Sequence, residues 1–245
     1  MIVWDAAQGS IAVEVLADLP LSDESEFHRL FERVLDDPFA VLLDSAASAS
    51  RFSRRSVIAI EPEAVLAARG SPLLAAGQAQ LELYVWDEGR RGAPDVRRFQ
   101  GAPFAELERM LAERKLPAEL RSQLPEGFVG GAIGFAGYDA GRFLERLPER
   151  AARDLDVPEL CFLFVDSVLL YEHETRVLRW VASARGRDGV EAETRCQERM
   201  AQLRERFALA APPLGATDAG SIGELRAEIA PDAYADMVRA AKAQI

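Results

Sequence analysis

The sequence predicts an α+β fold in which antiparallel β-sheets pack against each other with helices on their outer faces, incomplete at the C-terminus. Short apolar and β-branched runs fill the first two thirds of the chain, at spacings typical of antiparallel hairpins rather than of alternating strands and helices. A few stretches instead carry apolar residues at helical spacing, which predicts helices with one buried face. The 245 residues are 49% hydrophobic and 28% charged, so the chain can bury a sizeable core without disulfides or metal.

Strands are predicted where apolar and β-branched residues cluster between turn signals. The predicted strands cover residues 10–16, 39–43, 56–60, 64–68, 81–86, 161–171 and 177–182. The last two are expected to form one long hairpin that turns at His173. Gly127–Phe135 is apolar but rich in glycine, which predicts a strand that crosses another sheet, followed by a turn at Gly137.

Four amphipathic helices are predicted because apolar residues recur three and four positions apart. The first begins near Ser22 and ends near Pro38, and the second follows Pro103, a residue that suits the first turn of a helix. The apolar face of the third consists of Cys196, Met200, Leu203 and Phe207. The apolar face of the last, which follows a short predicted strand, consists of Tyr234, Met237, Val238, Ala241 and Ile245.

The composition divides the chain into three parts. Residues 1–209 form an N-terminal domain, residues 210–221 are rich in Ala, Pro and Gly and read as a linker, and residues 222–245 begin a second domain. The last helix has a start signal at Pro231, but the sequence contains no helix stop signal before Ile245. We therefore expect the natural protein to continue beyond this helix.

Charge and composition exclude several classes of function. The 29 basic and 40 acidic residues give a net charge of −11, which disfavours nucleic-acid and anionic-membrane partners. Two cysteines and two histidines exclude a disulfide scaffold, a cysteine-rich zinc site and a three-histidine metal site, and no metal ligand is expected in this chain. No apolar run reaches about 18 residues and no signal peptide is recognisable, so a cytoplasmic protein without a membrane span is expected.

One loop carries residues suited to binding a small molecule. Between the strands that end at Leu43 and begin at Ser56, serines alternate with Arg51, Arg54 and Arg55. Hydroxyls and guanidinium groups can hold a carboxylate or a zwitterion. The alternative is a solvated loop whose serine hydroxyls form hydrogen bonds to the backbone of the loop's own turns.

Other candidate sites are weaker. Gly127–Gly141 lacks the spacing of a dinucleotide-binding loop and the lysine of a phosphate-binding loop, so its glycines indicate close packing. Glu172, His173 and Glu174 are expected at a solvated hairpin tip, and His28 beside the apolar face of its helix. These patterns do not by themselves identify a reaction.

Several segments, in order, resemble the chorismate-aminating enzymes, the family of aminodeoxychorismate synthase (para-aminobenzoate synthase) component I and anthranilate synthase component I. The matching segments are Phe39–Ser45, Arg54–Pro62, Gly130–Asp139, Leu147–Glu149 and Val157–Leu160. Each is only moderately specific, but their order and spacing look most like the aminodeoxychorismate branch. The resemblance runs from about residue 38 to the final helix, which is similar to the helix that leads into the family's catalytic region.

The resemblance implies an anthranilate synthase component I-like fold and a role in folate biosynthesis. Family members combine chorismate with ammonia, which a glutamine amidotransferase subunit (component II) releases, and they require Mg²⁺. The chorismate and Mg²⁺ residues belong to the family's C-terminal half, so no catalytic residue is expected here and the chain alone is expected to be inactive. The alternatives are anthranilate synthase component I, for tryptophan synthesis, or a non-catalytic module that binds an amino acid or a partner.

The family also implies a pocket for tryptophan in this region. The matching positions are Leu43, Ser45, Phe52, Ser53 and Arg54. By this resemblance, Ser45 contacts the polar end of the ligand, while Leu43 and Phe52 line the indole site. Asp44 stands where anthranilate synthases usually have Glu, and Arg55 stands where an apolar or aromatic residue is common.

Overall fold

The computed structural model describes residues 1–6, 9–17, 21, 24–45, 54–71, 73–87, 90, 92–147, 155–208, 223 and 226–244. Internal contacts divide the chain into two compact units, Met1–Ala211 and Pro212–Ile245. The predicted linker, residues 210–221, lies outside the described residues, so its assignment stays a prediction.

The first unit contains two antiparallel sheets. The first sheet has the strand order β1-β2-β11-β10-β4-β3, with β1 (Ile2–Ala6), β2 (Gly9–Ala17), β3 (Val41–Leu43), β4 (Arg55–Ala59), β10 (Ser167–Glu172) and β11 (Val177–Gly186). The second sheet has the order β7-β6-β5-β9-β8, with β5 (Ala64–Arg69), β6 (Ala79–Val85), β7 (Asp95–Gly101), β8 (Gly131–Ala136) and β9 (Leu160–Val165). Every neighbouring pair of strands is antiparallel.

Helices cover the outer faces of the sheets, as predicted. They are α1 (Glu24–Glu32), α2 (Pro103–Arg114), a 3-10 helix (Tyr138–Phe143) and α4 (Gly189–Ala208), whereas the short α3 (Ala118–Arg121) places Leu120 in the core between the sheets. One core lies between the first sheet and helices α1 and α4, and a second lies between the two sheets. A third core lies between the second sheet and α2. The α+β prediction, with packed sheets and outer helices, is therefore confirmed.

The helical patterns placed the buried faces correctly. Phe27 of α1 is fully buried. Glu24 and Glu26 occupy the first turn, where negative charges interact favourably with the positive end of the helix dipole. The four predicted apolar residues of α4 are all buried. Pro103 is found at the start of α2, as expected. The spacing of apolar residues was sufficient to predict the buried residues here, because each of these helices packs one apolar face against a sheet.

The predicted strand over residues 161–171 is wrong as a single element. It is two strands, β9 in the second sheet and β10 in the first, with Asp166 between them. The predicted hairpin is formed by β10 and β11 only, with Glu172 opposite Val177. A single residue therefore carries the chain from one sheet to the other, a corner typical of packed sheets.

Other differences are smaller. The glycine-rich strand does not cross another sheet, because β8 is the edge strand of the second sheet and pairs with β9. Strands β1 and β7 and the short helix α3 were not predicted. The described residues between 222 and 231 contain no strand, although a short one was expected there.

A cluster of buried charges joins the two places where the chain passes between the sheets. One crossing follows β4 at Glu61, which has a positive φ of 48°, and the other is Asp166. Arg90 donates to the Glu61 carbonyl oxygen at 2.6 Å and pairs with the Asp166 carboxylate. Arg199 of α4 pairs with the Glu61 carboxylate at 2.7 Å and lies 3.4 Å from the Asp166 carboxylate.

The two arginines of this cluster are almost fully buried. The Arg90 and Arg199 side chains are 7% and 5% exposed. The Nε of Arg199 also donates to the Ser167 hydroxyl at 2.9 Å. Burying such groups is favourable only when each charge is paired and hydrogen-bonded, and removal of one partner leaves the others uncompensated.

We predict that Arg199→Met destabilises the chain by about 3 kcal/mol, because the Glu61 and Asp166 carboxylates lose a buried counter-ion. Urea unfolding followed by circular dichroism measures the change. The control is Arg109→Met on α2, whose side chain is 51% exposed and pairs with Glu106 at 2.6 Å. That exposed pair is worth no more than about 1 kcal/mol. Equal unfolding midpoints for the two variants would contradict the structural role of Arg199.

Close contact between β8 and β9 requires glycine at position 134. A Cβ on Gly134 would collide with the Cys161 carbonyl oxygen and lie 2.7 Å from the Cα of Phe162. A Cβ on Gly137 would instead make an ordinary contact of 3.5 Å with the Glu159 carbonyl oxygen. These glycines therefore have different tolerance to substitution, although they are three residues apart.

We predict that Gly134→Ala lowers the free energy of unfolding by about 3 kcal/mol, since the neighbouring backbone must move to admit the methyl group. Gly137→Ala should change it by less than about 1 kcal/mol. Thermal and urea unfolding of both variants gives the comparison. If Gly134→Ala were as stable as Gly137→Ala, the tight β8–β9 approach would be refuted.

The second unit contains helix α5 (Pro231–Lys242), which confirms the last predicted helix. Tyr234, Met237 and Val238 on this helix are exposed, and Ile245 lies outside the described residues. Among the helices that the structure describes, none has the length and apolar character needed to cross a membrane.

Candidate functional site

A cavity of about 590 Å³ opens at the edge of the first sheet where β3 ends and β4 begins. It is lined by Leu42, Leu43, Asp44, Ser45, Arg54, Arg55, Val57, Gly127, Phe128 and Leu170. Val57 and Leu170 belong to the core between the two sheets, and Phe128 packs against that core. The cavity thus combines an apolar wall with two arginines, a composition suited to a small amphipathic ligand.

The structure brings together three of the five predicted pocket residues. Leu43, Ser45 and Arg54 all line the cavity, whereas Phe52 and Ser53 lie outside the described residues. The Ser45 hydroxyl donates to the Arg55 carbonyl oxygen at 2.7 Å, so its lone pairs remain able to accept a hydrogen bond. Arg54 points away from the enclosed part, since its side chain is 55% exposed and pairs with Glu174 at 3.3 Å.

Arg55 is the cation that the sequence interpretation did not assign to the site. Its side chain is only 23% exposed, and its guanidinium pairs with Glu172 at 3.3 Å and Glu126 at 3.2 Å. The Nε of Arg55 is buried without a hydrogen-bond partner within the described residues. Arg55 thus supplies a partly enclosed cation at the cavity, the charge that binding of a carboxylate requires.

Gly127 and Phe128 were also missed, because they lie more than 70 residues from Arg55 in sequence. Gly127 has a φ of 113°, and a Cβ there would lie 2.9 Å from the Cδ of Arg55. Glycine is therefore needed to let the chain pass over the Arg55 side chain. A signal was available in the sequence, since Gly127 begins the glycine-rich stretch, but nothing local linked it to Arg55.

Glu172 pairs with Arg55 beside the cavity, whereas the sequence predicted it at a solvated hairpin tip. Its carboxylate accepts a hydrogen bond from Thr175 at 2.9 Å and pairs with Arg179 at 3.2 Å. The Thr175 hydrogen bond, together with Arg179 and Arg55, lowers the pKa of Glu172 although burial opposes this shift. The group therefore stays ionised and holds the Arg55 guanidinium in place.

His173 also differs from the expectation of a solvated tip. Its ring packs edge-on against Tyr171, with centroids 4.9 Å apart, and its Nε2 lies 2.8 Å from the Ser56 hydroxyl oxygen. The same hydroxyl contacts the Asp44 carboxylate at 2.8 Å. Burial alone would raise the pKa of Asp44, but hydrogen bonds from Ser56 and His28 and the charge of His28 lower it.

The two groups of side chains lie on opposite faces of the first sheet. Neighbouring residues of a strand point to opposite faces, so Arg55 and Ser56 of β4 are separated by the sheet itself. Arg55 faces the cavity, while Ser56 contacts Asp44 and His173 on the side covered by α1. The main-chain N–H of Ser45 donates to the Ser56 hydroxyl at 3.0 Å and connects the two groups.

A second cavity of about 440 Å³ lies in the first unit beside the charged corner. Arg90, Asp166 and Arg199 line it, as do Gly130 and Gly131 at the start of β8. Its arginines are already engaged, since Arg114 pairs with Glu63 and Arg199 with Glu61. The lining is therefore explained by the corner, and the first cavity is the better candidate site.

The described residues of the turn after β8 do not form a group of side chains comparable to the one at the first cavity. Tyr138 is almost completely exposed, and Asp139 pairs with Arg142 at 3.1 Å within the same 3-10 helix. These contacts stabilise the turn locally, in agreement with the structural role expected for the glycine-rich stretch.

Comparison with known proteins identifies the family of the chain. The model of the family described as chorismate binding enzyme matches residues 61–245. The aminodeoxychorismate synthase component 1 of Klebsiella aerogenes is 29% identical over 154 residues, which are 63% of this chain and 30% of the relative. The anthranilate synthase component 1 of Thermus thermophilus is 35% identical over 125 residues, 51% of this chain and 26% of the relative.

A solved structure, anthranilate synthase component I from Streptococcus pneumoniae, aligns with a TM-score of 0.47 and 19% identity, covering 92% of this chain and 43% of that one. The chain spans less than a third of the length of the two curated relatives above. Because the family model covers most of its residues, the chain belongs to the family of chorismate-binding enzymes.

Proposed function

We propose that this chain is the N-terminal part of an aminodeoxychorismate synthase component I. That enzyme converts chorismate and ammonia, released from glutamine by an amidotransferase subunit, to 4-amino-4-deoxychorismate for folate synthesis. The family match over residues 61–245 carries the proposal. The alignment with the relative of that name in Klebsiella aerogenes, over 63% of the chain, supports this branch.

We assign the Mg²⁺ of this reaction, and the chorismate site, to the C-terminal half of the family. Mg²⁺ prefers an octahedral shell of oxygen ligands. Within the described ranges, the group of ligating side chains found within 4.8 Å of one another is Glu24, Asp44 and His173, which includes a nitrogen donor. These residues do not fit a Mg²⁺ site, so we derive no chemical step from them.

The contribution we assign to this chain is an amino-acid pocket in the cavity at the β3–β4 edge. The Arg55 guanidinium holds the ligand carboxylate, because it is half-buried and lines the cavity. The Ser45 hydroxyl oxygen accepts from the ammonium group. Leu43, Val57 and Phe128 form the apolar wall for the side chain, and tryptophan is the ligand we expect.

Product analysis tests the enzymatic assignment. The gene product that contains this chain in full is supplied with chorismate, Mg²⁺ and ammonium at neutral pH, and the product is identified by mass spectrometry. We expect an amination product that keeps its enolpyruvyl group. Anthranilate, which lacks that group, would transfer the assignment to the anthranilate synthase branch, which the 35% identity to the Thermus thermophilus relative favours. Absence of both products would overturn the enzymatic proposal and leave a non-catalytic binding module.

A pair of arginine variants tests the pocket. We expect Arg55→Met to weaken tryptophan binding by at least about tenfold, as loss of a charged hydrogen bond to the carboxylate implies. Arg54→Met serves as the matched control and should change the affinity by less than about twofold, because this exposed side chain points towards Glu174. Isothermal titration calorimetry on the full gene product measures both. No heat of binding with the wild-type protein, or equal losses in the two variants, would count against the pocket.

A further inference from the structure

The two histidines of the chain, 145 residues apart in sequence, converge on one aspartate. His28 lies on α1, and His173 begins the turn between β10 and β11. The Nε2 of His28 is 3.3 Å from the Asp44 carboxylate, and the Nδ1 of His173 is 3.4 Å from the Glu24 carboxylate. Two imidazoles and two carboxylates from three separate segments therefore meet at one place.

The distances in this cluster suit a small divalent ion. The ligand atoms of Glu24, Asp44 and His173 all lie within 4.8 Å of one another, and His28 adjoins Asp44. Two ligands of a tetrahedral ion with bonds of 2.0–2.1 Å are separated by about 3.3–3.4 Å. The His173–Glu24 separation of 3.4 Å matches that edge, whereas the 3.3 Å contact of His28 with Asp44 is a hydrogen bond beside the group.

The hydrogen bonds around Ser56 assign the role of donor to the Nε2 of His173. The Ser56 hydroxyl oxygen lies 2.8 Å from both the Asp44 carboxylate and the His173 Nε2. A hydroxyl has a single proton, which goes to the carboxylate, because the carboxylate can only accept. The His173 Nε2 must therefore be the donor to Ser56.

This assignment leaves the other ring nitrogen facing a carboxylate. In the neutral imidazole, the Nδ1 of His173 carries a lone pair, and the Glu24 carboxylate opposite it also only accepts. Two acceptors 3.4 Å apart are stable only with a cation or a second ring proton between them. The environment therefore selects for a positive charge at this point.

We propose that Glu24, Asp44 and His173 bind a first-row divalent cation of the Zn²⁺ type, while His28 contacts Asp44 from outside the set. Imidazole and carboxylate are ligands that Zn²⁺ accepts, and the two carboxylates neutralise its charge. Ser56 orients the set from outside, since it accepts from His173 and donates to Asp44. Glu24 and Asp44 are exposed, which gives the ion access from solvent.

The ion ties α1 to the end of β3 and to the β10–β11 turn. Glu24 and His173 lie on the face of the first sheet opposite the candidate amino-acid cavity, whereas Asp44 also lines that cavity. The site therefore differs from the pocket in its ligand chemistry and in two of its three residues, and its test is independent of the product made by the full enzyme.

Calorimetric titration of the chain with ZnCl₂ after removal of bound metal with EDTA tests the proposal. We expect saturable binding of one ion per chain. Glu24→Gln and His173→Gln should each weaken it by at least about tenfold, because each removes one ligand. Glu174→Gln, which removes a carboxylate next to His173 that pairs with Arg54, should leave it within about twofold.

The cysteines require a control because thiolates also bind zinc. Cys196 is buried and desolvation raises the pKa of its thiol to about 12, so it is protonated at neutral pH. Cys161 is half-buried, and the titration is repeated with Cys161→Ser, which should bind as the wild type does. Loss of zinc binding in Cys161→Ser would overturn the assignment.

¹⁵N nuclear magnetic resonance of the two histidines gives a second readout. We expect zinc to shift the Nδ1 resonance of His173, while the Nε2 of His173 keeps its proton. A His173 ring that stays doubly protonated and unchanged at saturating zinc would show that a proton, not a metal, balances Glu24, and the proposal would be wrong.

Discussion

Two buried arginines hold the places where the chain passes between the sheets, and the rest of the first unit depends on that contact. Residues between Glu61 and Asp166 form the second sheet as one long insertion into the first. Both ends of the insertion are bound by Arg90 and Arg199. Arg199 belongs to α4, so the same contact fixes that helix on its sheet. Buried ion pairs add little net stability compared with apolar packing, but they penalise arrangements in which a charge is left alone.

This constraint explains how the candidate cavity acquires its shape. β10 begins directly after the Asp166 corner and pairs with β4, so the corner sets the register that places Glu172 opposite Arg55. The Glu172 carboxylate then holds the Arg55 guanidinium beside the cavity. On the other face of the same strands, Ser56 meets His173 and Asp44. One strand register thus positions both the amino-acid pocket and the histidine cluster.

Local sequence patterns predicted those elements in which regularly spaced apolar residues pack against a sheet. Helices α1 and α4 and the β10–β11 hairpin fall into this class, because their apolar spacing reflects the burial that stabilises them. The crossing at Asp166 could not be predicted, since the residues on both sides of it are apolar strand formers and only the charge interrupts them. Strand β7 was missed because most of its residues are exposed and its apolar pattern is weak.

The candidate site was partly predictable for a related reason. Leu43, Ser45 and Arg54 came from a resemblance in adjacent segments, and the structure places all three at one cavity. Arg55 was set aside as a departure from the family pattern, yet it is the more enclosed of the two arginines. Its partner Gly127 comes from a distant part of the chain, and no pattern local to either residue indicates that they touch.

The glycine-rich stretch that carries much of the resemblance is itself explained by packing. Gly130 and Gly131 both have a φ of 129°, and a Cβ on Gly130 would lie 3.1 Å from the Val165 carbonyl oxygen, next to the Asp166 corner. Gly134 admits the backbone of β9 in the same way. A motif of this kind identifies the fold, because other residues cannot occupy these positions without strain. The ligand chemistry of the chain depends instead on side chains that the fold leaves facing a cavity or the solvent, such as Arg55 and the two histidines, and these residues can change while the glycines stay the same.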